Sequence, residues 1–189
     1  MKKPKLILVA AGIFLVLASV SAFFTIFSPK ANNKTSKWKA MSGISTSDGL
    51  PFNSLVLYSE DTVAWFEKTV ETAYPTLTVL CHKSETSASI HTGAPLMNEY
   101  SLESMHTVQI SLDDVVLRQE WRGGDDKGHG DTTLFLPLSF IPRLTGADYV
   151  TLEFVAAIGQ SKKVEFDVRG LKDLLVECQE LATEKNVRN

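Results

Sequence analysis

Residues 76–83 have the sequence TLTVLCHK, in which Leu77, Val79 and Cys81 alternate with a second set of side chains. A period of two is typical of a β-strand with one buried face, because successive strand side chains point to opposite sides. The pattern therefore predicts a strand that directs Cys81 into a core together with Leu77 and Val79. This stretch decides the fold class, since it places a cysteine inside a sheet.

The other end of the domain has the period of a helix. Residues Leu171–Glu184 follow Gly170 and carry apolar side chains at positions i, i+3, i+4, i+7 and i+10, which is one helical face. Those positions are Leu171, Leu174, Leu175, Cys178 and Leu181. The pattern predicts a C-terminal helix that covers the sheet and directs Cys178 inward.

Two inward cysteines in an oxidising compartment are expected to pair. A link between Cys81 and Cys178 closes a long loop, for which the chain-entropy relation gives a stabilisation of about 4–5 kcal/mol. Two buried free thiols, or a nucleophile or metal ligand, are the alternatives. His82 adjoins Cys81, but neighbouring strand residues face opposite ways, which disfavours a thiolate–imidazole pair.

Short strand patterns separated by turn signals fill the rest of the chain from Trp38. The predicted strands are Trp38–Ile44, Ser54–Tyr58, Thr76–Lys83, Ser87–His91, His106–Leu112, Val115–Trp121, Thr132–Leu136, Tyr149–Ala156 and Lys163–Val168. A short helix is predicted over Leu138–Leu144. Thr62–Ala73 is interpreted as a further helix, with an extended strand as its alternative. The predicted fold is mainly β, an antiparallel β-sandwich or open barrel closed by a C-terminal α-helix.

The N-terminus has the pattern of a targeting segment. Three lysines lie in Met1–Lys5, and Leu6–Phe27 contains no charged residue over 22 positions, enough to span a bilayer. An uncleaved signal anchor over residues 1–27 and a signal peptide cleaved near Val20-Ser21-Ala22 are the two interpretations. Either one places a domain over 38–184 outside the cytoplasm, inner-membrane-anchored or periplasmic, after a polar linker over 28–37 and before a tail over 185–189.

Composition excludes several classes of protein. The chain has 189 residues and a formal net charge of −3, so no overall basic field points to nucleic acid. Without residues 1–27 it would keep 16 basic and 22 acidic residues. Two cysteines are too few for a four-cysteine zinc site or a disulfide-dense miniprotein. We expect no metal, no cofactor and no catalytic residue, because no catalytic motif with known spacing is present.

The most suggestive loop runs from Gly123 to Asp131. It contains Asp125, Asp126, His129 and Asp131, whose carboxylates and imidazole are chemically suited to a cation or a partner protein. Its spacing matches no calcium loop, so a solvated, glycine-rich turn is the alternative. Two strand residues, Arg118 and Trp121, are further candidates for partner contact. The alternative for Arg118 is an ion pair on the sheet surface, and the alternative for Trp121 is an anchor in the core. Asp113-Asp114 is interpreted as a hairpin turn.

The order of motifs after residue 74 resembles one known family. The segments are YPTLTVLC over 74–81, RQEW over 118–121, TLF over 133–135, FIPRL over 140–144 and VEFDVRGL over 164–171, followed by Cys178. The sequence is similar here to the type VI secretion-associated VasI/TagO family of accessory envelope proteins. The resemblance implies an exported β-domain that binds other envelope proteins, and it implies no catalytic residues.

Three functions compete at this point. The leading hypothesis is a non-enzymatic envelope protein that binds an envelope or secretion-system protein partner beside the inner membrane that residues 6–27 would cross. The alternative is a periplasmic inhibitor of a cell-wall hydrolase such as lysozyme, because an acidic domain suits a basic enzyme. An enzyme that uses the loop with His129 and Asp131 is the third. The sequence leaves the oligomeric state open.

Overall fold

A computed structural model describes residues 37–64, 72–82, 85–97, 104–124, 131–157 and 159–187. The strands are β1 (Lys39–Ile44), β2 (Pro51–Tyr58), β3 (Val63–Ala64), β4 (Thr72–Ala73), β5 (Thr76–His82), β6 (Glu85–His91), β7 (Met105–Leu112), β8 (Val115–Gly124), β9 (Thr133–Phe135), β10 (Tyr149–Val155) and β11 (Ser161–Asp167). A 3₁₀ turn (Leu138–Phe140) leads into helix α1 (Ile141–Leu144), and helix α2 (Leu171–Val187) follows β11.

Nine of these strands form one sheet in the order β1-β2-β5-β6-β9-β8-β7-β10-β11, and every neighbouring pair is antiparallel. Each strand expected from residue 38 onward is present, with ends shifted by a few residues. The sandwich alternative was wrong, because the nine strands belong to a single sheet rather than to two packed sheets. That sheet is not closed by backbone pairing, as the open-barrel alternative expected.

The alternating strands bury one face of this sheet. On β5, Leu77, Val79 and Cys81 are completely buried, while the side chains between them are half-buried. β10 and β11 repeat the pattern with Leu152 and Phe166, which belong to the same core cluster. One continuous core therefore lies on one face of the sheet, as the period of two predicted.

Helix α2 packs over β2 and β5, and a disulfide links Cys178 on the helix to Cys81 on β5. Both sulfurs are buried, and the two Cα atoms are 6.0 Å apart. Asn53 on β2 supports the same contact, because its side-chain amide donates to the Cys178 carbonyl over 3.4 Å. The predicted disulfide and the predicted helix face are confirmed.

Side chains join the two ends of the sheet where strand pairing does not. Just beyond β2, the Ser59 hydroxyl donates to the carbonyl of Glu165 on β11 over 3.0 Å. The backbone N–H of Glu165 donates to the Asp61 carboxylate, also over 3.0 Å. An edge strand exposes backbone groups that need partners, and here two of those groups find them on residues 59–61.

The helix interpreted over Thr62–Ala73 was wrong at both of its ends. Val63–Ala64 and Thr72–Ala73 are short strands that pair with each other, and residues 65–71 lie outside the described part of the chain. β-branched side chains such as Val63 and Thr72 favour extended backbone, and here they outweighed a weak helical spacing.

The expected signal or anchor over residues 1–27 and most of the linker over 28–37 lie outside the described residues. Across the part of the chain that the structure describes, no helix combines the length and apolar character needed to cross a bilayer. Helix α2 extends to Val187, three residues beyond its predicted end.

Replacing both cysteines, in Cys81→Ala/Cys178→Ala, is expected to lower the free energy of unfolding by about 2–5 kcal/mol, because the open chain gains entropy when unfolded. Urea denaturation of the full chain measures this difference. The oxidised wild type is the reference, and its buried sulfurs should become reducible only as the protein unfolds. A loss below about 1 kcal/mol would show that the crosslink contributes little to the fold.

Candidate functional site

Asp131, from the predicted binding loop, points into the protein. Its carboxylate Oδ2 lies 2.8 Å from Nε2 of His106 on β7, and both side chains are at least nine-tenths buried. The other ring nitrogen of His106, Nδ1, is 3.0 Å from the Met97 carbonyl oxygen. The remaining loop candidates, Asp125, Asp126 and His129, lie outside the described residues.

This pair links separate segments of the fold. A carbonyl oxygen only accepts hydrogen bonds, so Nδ1 of His106 donates to the Met97 carbonyl. Nε2 of the same ring is in hydrogen-bonding contact with the Asp131 carboxylate. The pair therefore crosslinks β7 to the residues beside Met97 and Asp131, and its described surroundings leave it enclosed rather than open to a ligand.

Gly123 on β8 provides the space for the pair. A Cβ atom at this position would lie 2.5 Å from Asp131 Oδ2 and 2.5 Å from His106 Nε2. Only glycine allows the backbone of β8 to approach both groups so closely. Sequence reasoning had placed Gly123 in the loop and missed this contact, since nothing local links His106 with a residue 25 positions away.

Trp121 is a core residue. It is 1% exposed, and its ring meets the Phe140 ring edge-on with centroids 5.5 Å apart. The indole N–H donates to the Gln119 side chain over 2.9 Å, so the buried polar atom is satisfied. Trp121 thus holds the 3₁₀ turn against the sheet, whereas Arg118 is exposed on the outer face of β8 and stays a predicted partner contact.

The turn between β7 and β8 is more firmly held than a surface hairpin. Asp113 adopts a left-handed conformation with φ of 50°, which aspartate tolerates better than most residues. Its carboxylate accepts hydrogen bonds from the backbone N–H groups of Asp148 and Tyr149, at 3.1 and 2.9 Å. The predicted turn is confirmed, and its side chain also fixes the turn to the start of β10.

Exposed apolar side chains flank this fixed turn. Val115 and Val116 are 58% and 60% exposed, and Tyr149 is 39% exposed. The guanidinium of Arg169 lies over the Tyr149 ring, 5.1 Å from its centre. We call these four residues the hairpin surface, in which Val116 and Tyr149 lie on the outer face of the sheet and Val115 lies on the core-side face. Aromatic and arginine side chains beside apolar ones are typical of the energetic centre of protein interfaces.

Arg169 is held in place by Asp167. Its Nε and Nη2 donate to the two carboxylate oxygens over 2.7 and 2.6 Å, and Lys37 lies 3.5 Å away on the other side. These hydrogen bonds from Arg169 hold the pKa of Asp167 below its ordinary value, and Lys37 acts in the same direction. A hydrogen bond to Glu60 raises the pKa of Lys37.

Carboxylates lie beside the hairpin surface. They are Asp113 and Asp114 in the turn itself, Asp148 next to Tyr149, and Asp167 in contact with Arg169. Lys37 and Arg169 both face Asp167, so their charges are partly compensated within this group. The surface therefore combines an apolar centre with a negative surround, which complements a basic protein better than an acidic one.

Within the described ranges, no three histidine, cysteine, aspartate or glutamate side chains lie close enough together to ligate an ion. Of the predicted loop candidates, only Asp131 falls in these ranges, and its carboxylate faces His106.

Comparison with known proteins identifies the fold. No protein-family model matches the chain, and no curated protein sequence matches it. The structure is similar to the crystal structure of invasion associated protein B from Bartonella henselae, with a TM-score of 0.51 and 12% sequence identity. The match covers 77% of this chain and 92% of that one. At this identity the likeness establishes a shared fold, and the resemblance to the VasI/TagO family stays a prediction.

Gly123→Ala is expected to lower the free energy of unfolding by about 1–3 kcal/mol, because the new methyl group would force His106 and Asp131 apart. Chemical denaturation measures the change. Gly146→Ala is the matched control, since its methyl would lie 3.7 Å from the nearest atom and should change stability by less than about 0.5 kcal/mol. Equal effects of the two substitutions would contradict the proposed close approach.

Acidification is expected to weaken the Asp167–Arg169 contact. Because the folded-state pKa of Asp167 is depressed, its contribution is fully present above the ordinary aspartate pKa of about 3.9 and is lost as pH falls through the folded value. The stability difference between wild type and Asp167→Asn should therefore shrink between about pH 7 and about pH 2. Unfolding at a series of pH values measures it, and an Arg169→Gln background should remove most of the difference. A difference independent of pH would refute the assignment.

Proposed function

We propose that the chain is an exported, non-enzymatic domain of the cell envelope that binds a protein partner through the hairpin surface. The observation that carries this proposal is the exposure of Val115, Val116 and Tyr149 on a turn that hydrogen bonds hold rigid. Exposed apolar side chains on a fixed backbone lose little conformational entropy on binding, which favours recognition.

Export is supported by the disulfide. Stable disulfides form in oxidising compartments and are rare in the cytosol. Cys81 and Cys178 are both buried and joined, which fits a permanent structural link better than a reactive pair. Together with the apolar segment over residues 6–27, this favours a location at the outer side of the inner membrane or in the periplasm.

The partner is proposed to be an envelope protein, and the family resemblance suggests an accessory role in a type VI-like secretion system. The alternative function, inhibition of a cell-wall hydrolase, draws support from the acidic surround of the hairpin surface. Many proteins that bind a basic partner carry such a field, because opposite charge speeds encounter and suppresses wrong partners. The two functions would use the same surface and differ in the partner.

Crosslinking in cells tests the proposal. A C-terminally tagged full chain is crosslinked, extracted from membranes and analysed by mass spectrometry, with Val116→Asp as the variant. We expect the wild type to enrich one or a few envelope proteins, and Val116→Asp to lose at least about tenfold of that enrichment, because a charge is then buried in an apolar contact.

Val176→Asp is the matched control. Val176 is 53% exposed on α2, close to the exposure of Val116, so this variant introduces the same charge at a different surface. It should keep the enrichment. Secretion-machine membrane subunits among the enriched proteins would favour the accessory role, and a single soluble hydrolase would favour the inhibitor. Equal loss of enrichment in both variants would overturn the proposed binding surface. No specific enrichment by the wild type would overturn the proposed binding function.

A further inference from the structure

The two edge strands of the sheet differ in whether their outward backbone groups have hydrogen-bond partners. On β11, side chains of Ser59 and Asp61 bond the outward carbonyl and N–H of Glu165. β1 forms the opposite edge of the nine-stranded sheet and pairs only with β2 among the described strands. Backbone groups on an edge strand are a template for another strand, unless the protein blocks them.

The alternation of hydrogen-bonded and non-hydrogen-bonded residue pairs shows which backbone groups of β1 face outward. Ser45 N–H donates to the Leu50 carbonyl, and these two residues continue the β1–β2 register. Bonded pairs alternate along an antiparallel ladder, so Gly43, Met41 and Lys39 also bond to β2. It follows that the N–H and C=O groups of Ala40, Ser42 and Ile44 point away from the sheet.

An independent contact gives the same alternation. Beyond the other end of β2, Ser59 N–H donates to the Pro75 carbonyl, in line with the β2–β5 register. Odd-numbered residues of β2 therefore bond to β5, which leaves the even-numbered ones, such as Phe52, to bond to β1. Both ends of β2 thus assign the same outward groups to β1.

Among the described residues, the usual protections of an edge strand are missing from β1. β1 has the sequence KAMSGI, with no proline and with Lys39 as its only charged residue. The Lys39 ammonium lies over the Tyr58 ring, 4.8 Å from its centre, which draws it back over β2. Among the described residues, no hydrogen bond from outside the β1–β2 ladder reaches the backbone of Ala40, Ser42 or Ile44. The edge is therefore open to strand pairing.

We propose that β1 pairs antiparallel with β1 of a second copy of the chain, about a two-fold axis at Ser42. In this register Ser42 lies opposite the partner's Ser42, and Ala40 lies opposite the partner's Ile44. All outward N–H and C=O groups of Ala40, Ser42 and Ile44 then have partners, because the three residues form a self-complementary set. A closed two-fold interface of this kind is the commonest arrangement of homo-oligomers.

Exposed apolar side chains support a second copy as the occupant. Ile44 is 71% exposed, the highest value among the large apolar side chains of the described residues, and it would pack against the partner's Ala40. On the other face, Met41 would lie opposite the partner's Gly43, whose surface is covered by a Phe52 ring. Contact of a methionine with an aromatic ring is favourable. The register thus covers two apolar side chains that the single copy exposes.

The charges along the edge also suit this register. Lys39 would lie opposite the partner's Ser45, so the two lysines of the dimer do not face each other. Directly opposed residues of an antiparallel pair interact strongly enough to favour opposite charges and disfavour like charges. The register therefore predicts the response to charge at Ser45, a residue that is itself partly exposed.

Charge substitution at Ser45 tests both the dimer and its register. Sedimentation velocity of the purified full chain in mild detergent, over a range of concentrations, gives the dimer dissociation constant. Ser45→Glu should tighten the dimer and Ser45→Lys should weaken it, each by about threefold or more, because the two-fold axis repeats the contact with Lys39. Adding Lys39→Glu to Ser45→Lys should restore the affinity.

Matched controls separate this interface from other contacts. Glu or Lys at Ser87, an exposed serine of β6, should leave the dissociation constant unchanged within about twofold. Ile44→Pro should weaken the dimer by removing one outward N–H, while Ile44→Ala retains that group and should weaken it less. Association through another segment would give no opposite response at Ser45.

Two results would overturn the proposal. One is that the full chain sediments as a monomer at every concentration up to about hundreds of micromolar. The dissociation constant would then be too high for a specific dimer. The other is an equal response to Glu and Lys at Ser45. The test at β1 is independent of the hairpin surface, so a failed dimer leaves the proposed partner binding intact and a failed crosslink leaves the dimer intact.

Discussion

Nine strands that pair antiparallel in a single row cannot close into a uniform barrel. With an odd number of strands, the first and the last run in the same direction, so β1 and β11 cannot complete the antiparallel ladder. The apolar side chains on the core face of the open sheet must still be shielded from water. Helix α2 provides this shielding, and the Cys81–Cys178 link fixes that helix to β5. The disulfide and the contacts of Ser59 and Asp61 with Glu165 thus follow from one topological constraint.

The constraint also explains where polar groups are satisfied by side chains. Ser59 and Asp61 take the place of a tenth strand at Glu165, and Asp113 joins the β7–β8 turn to the start of β10. The buried pair of His106 and Asp131 joins the segments beside β7 and β9. The contacts of Ser59, Asp61 and Asp131 link elements whose backbones do not pair at that point, so side chains carry the connection. At Asp113 the carboxylate adds to a backbone hydrogen bond that already joins it to Tyr149. The rigid turns next to exposed residues are a consequence of this bracing.

Local periodicity predicted most of the fold because buried and exposed side chains alternate along most of the strands. The alternation in TLTVLCHK and the helical spacing that includes Cys178 both report which side chains face the core, and together they predicted the disulfide. Period alone does not tell how many sheets are formed, which is why a sandwich was one alternative. It also fails for very short strands, where Val63–Ala64 offers too few residues to show a pattern.

The proposed binding surface was harder to predict because its parts come together only in three dimensions. Arg169 stacks on Tyr149 and binds Asp167, while Asp167 also meets Lys37, just before β1. A sequence shows these residues as separate charges and an isolated tyrosine. The structure shows that the hairpin surface and the start of the open edge flank one ion-pair cluster. Sequence patterns report neighbours along the chain, so they could not show that Arg169 and Lys37 share this one carboxylate.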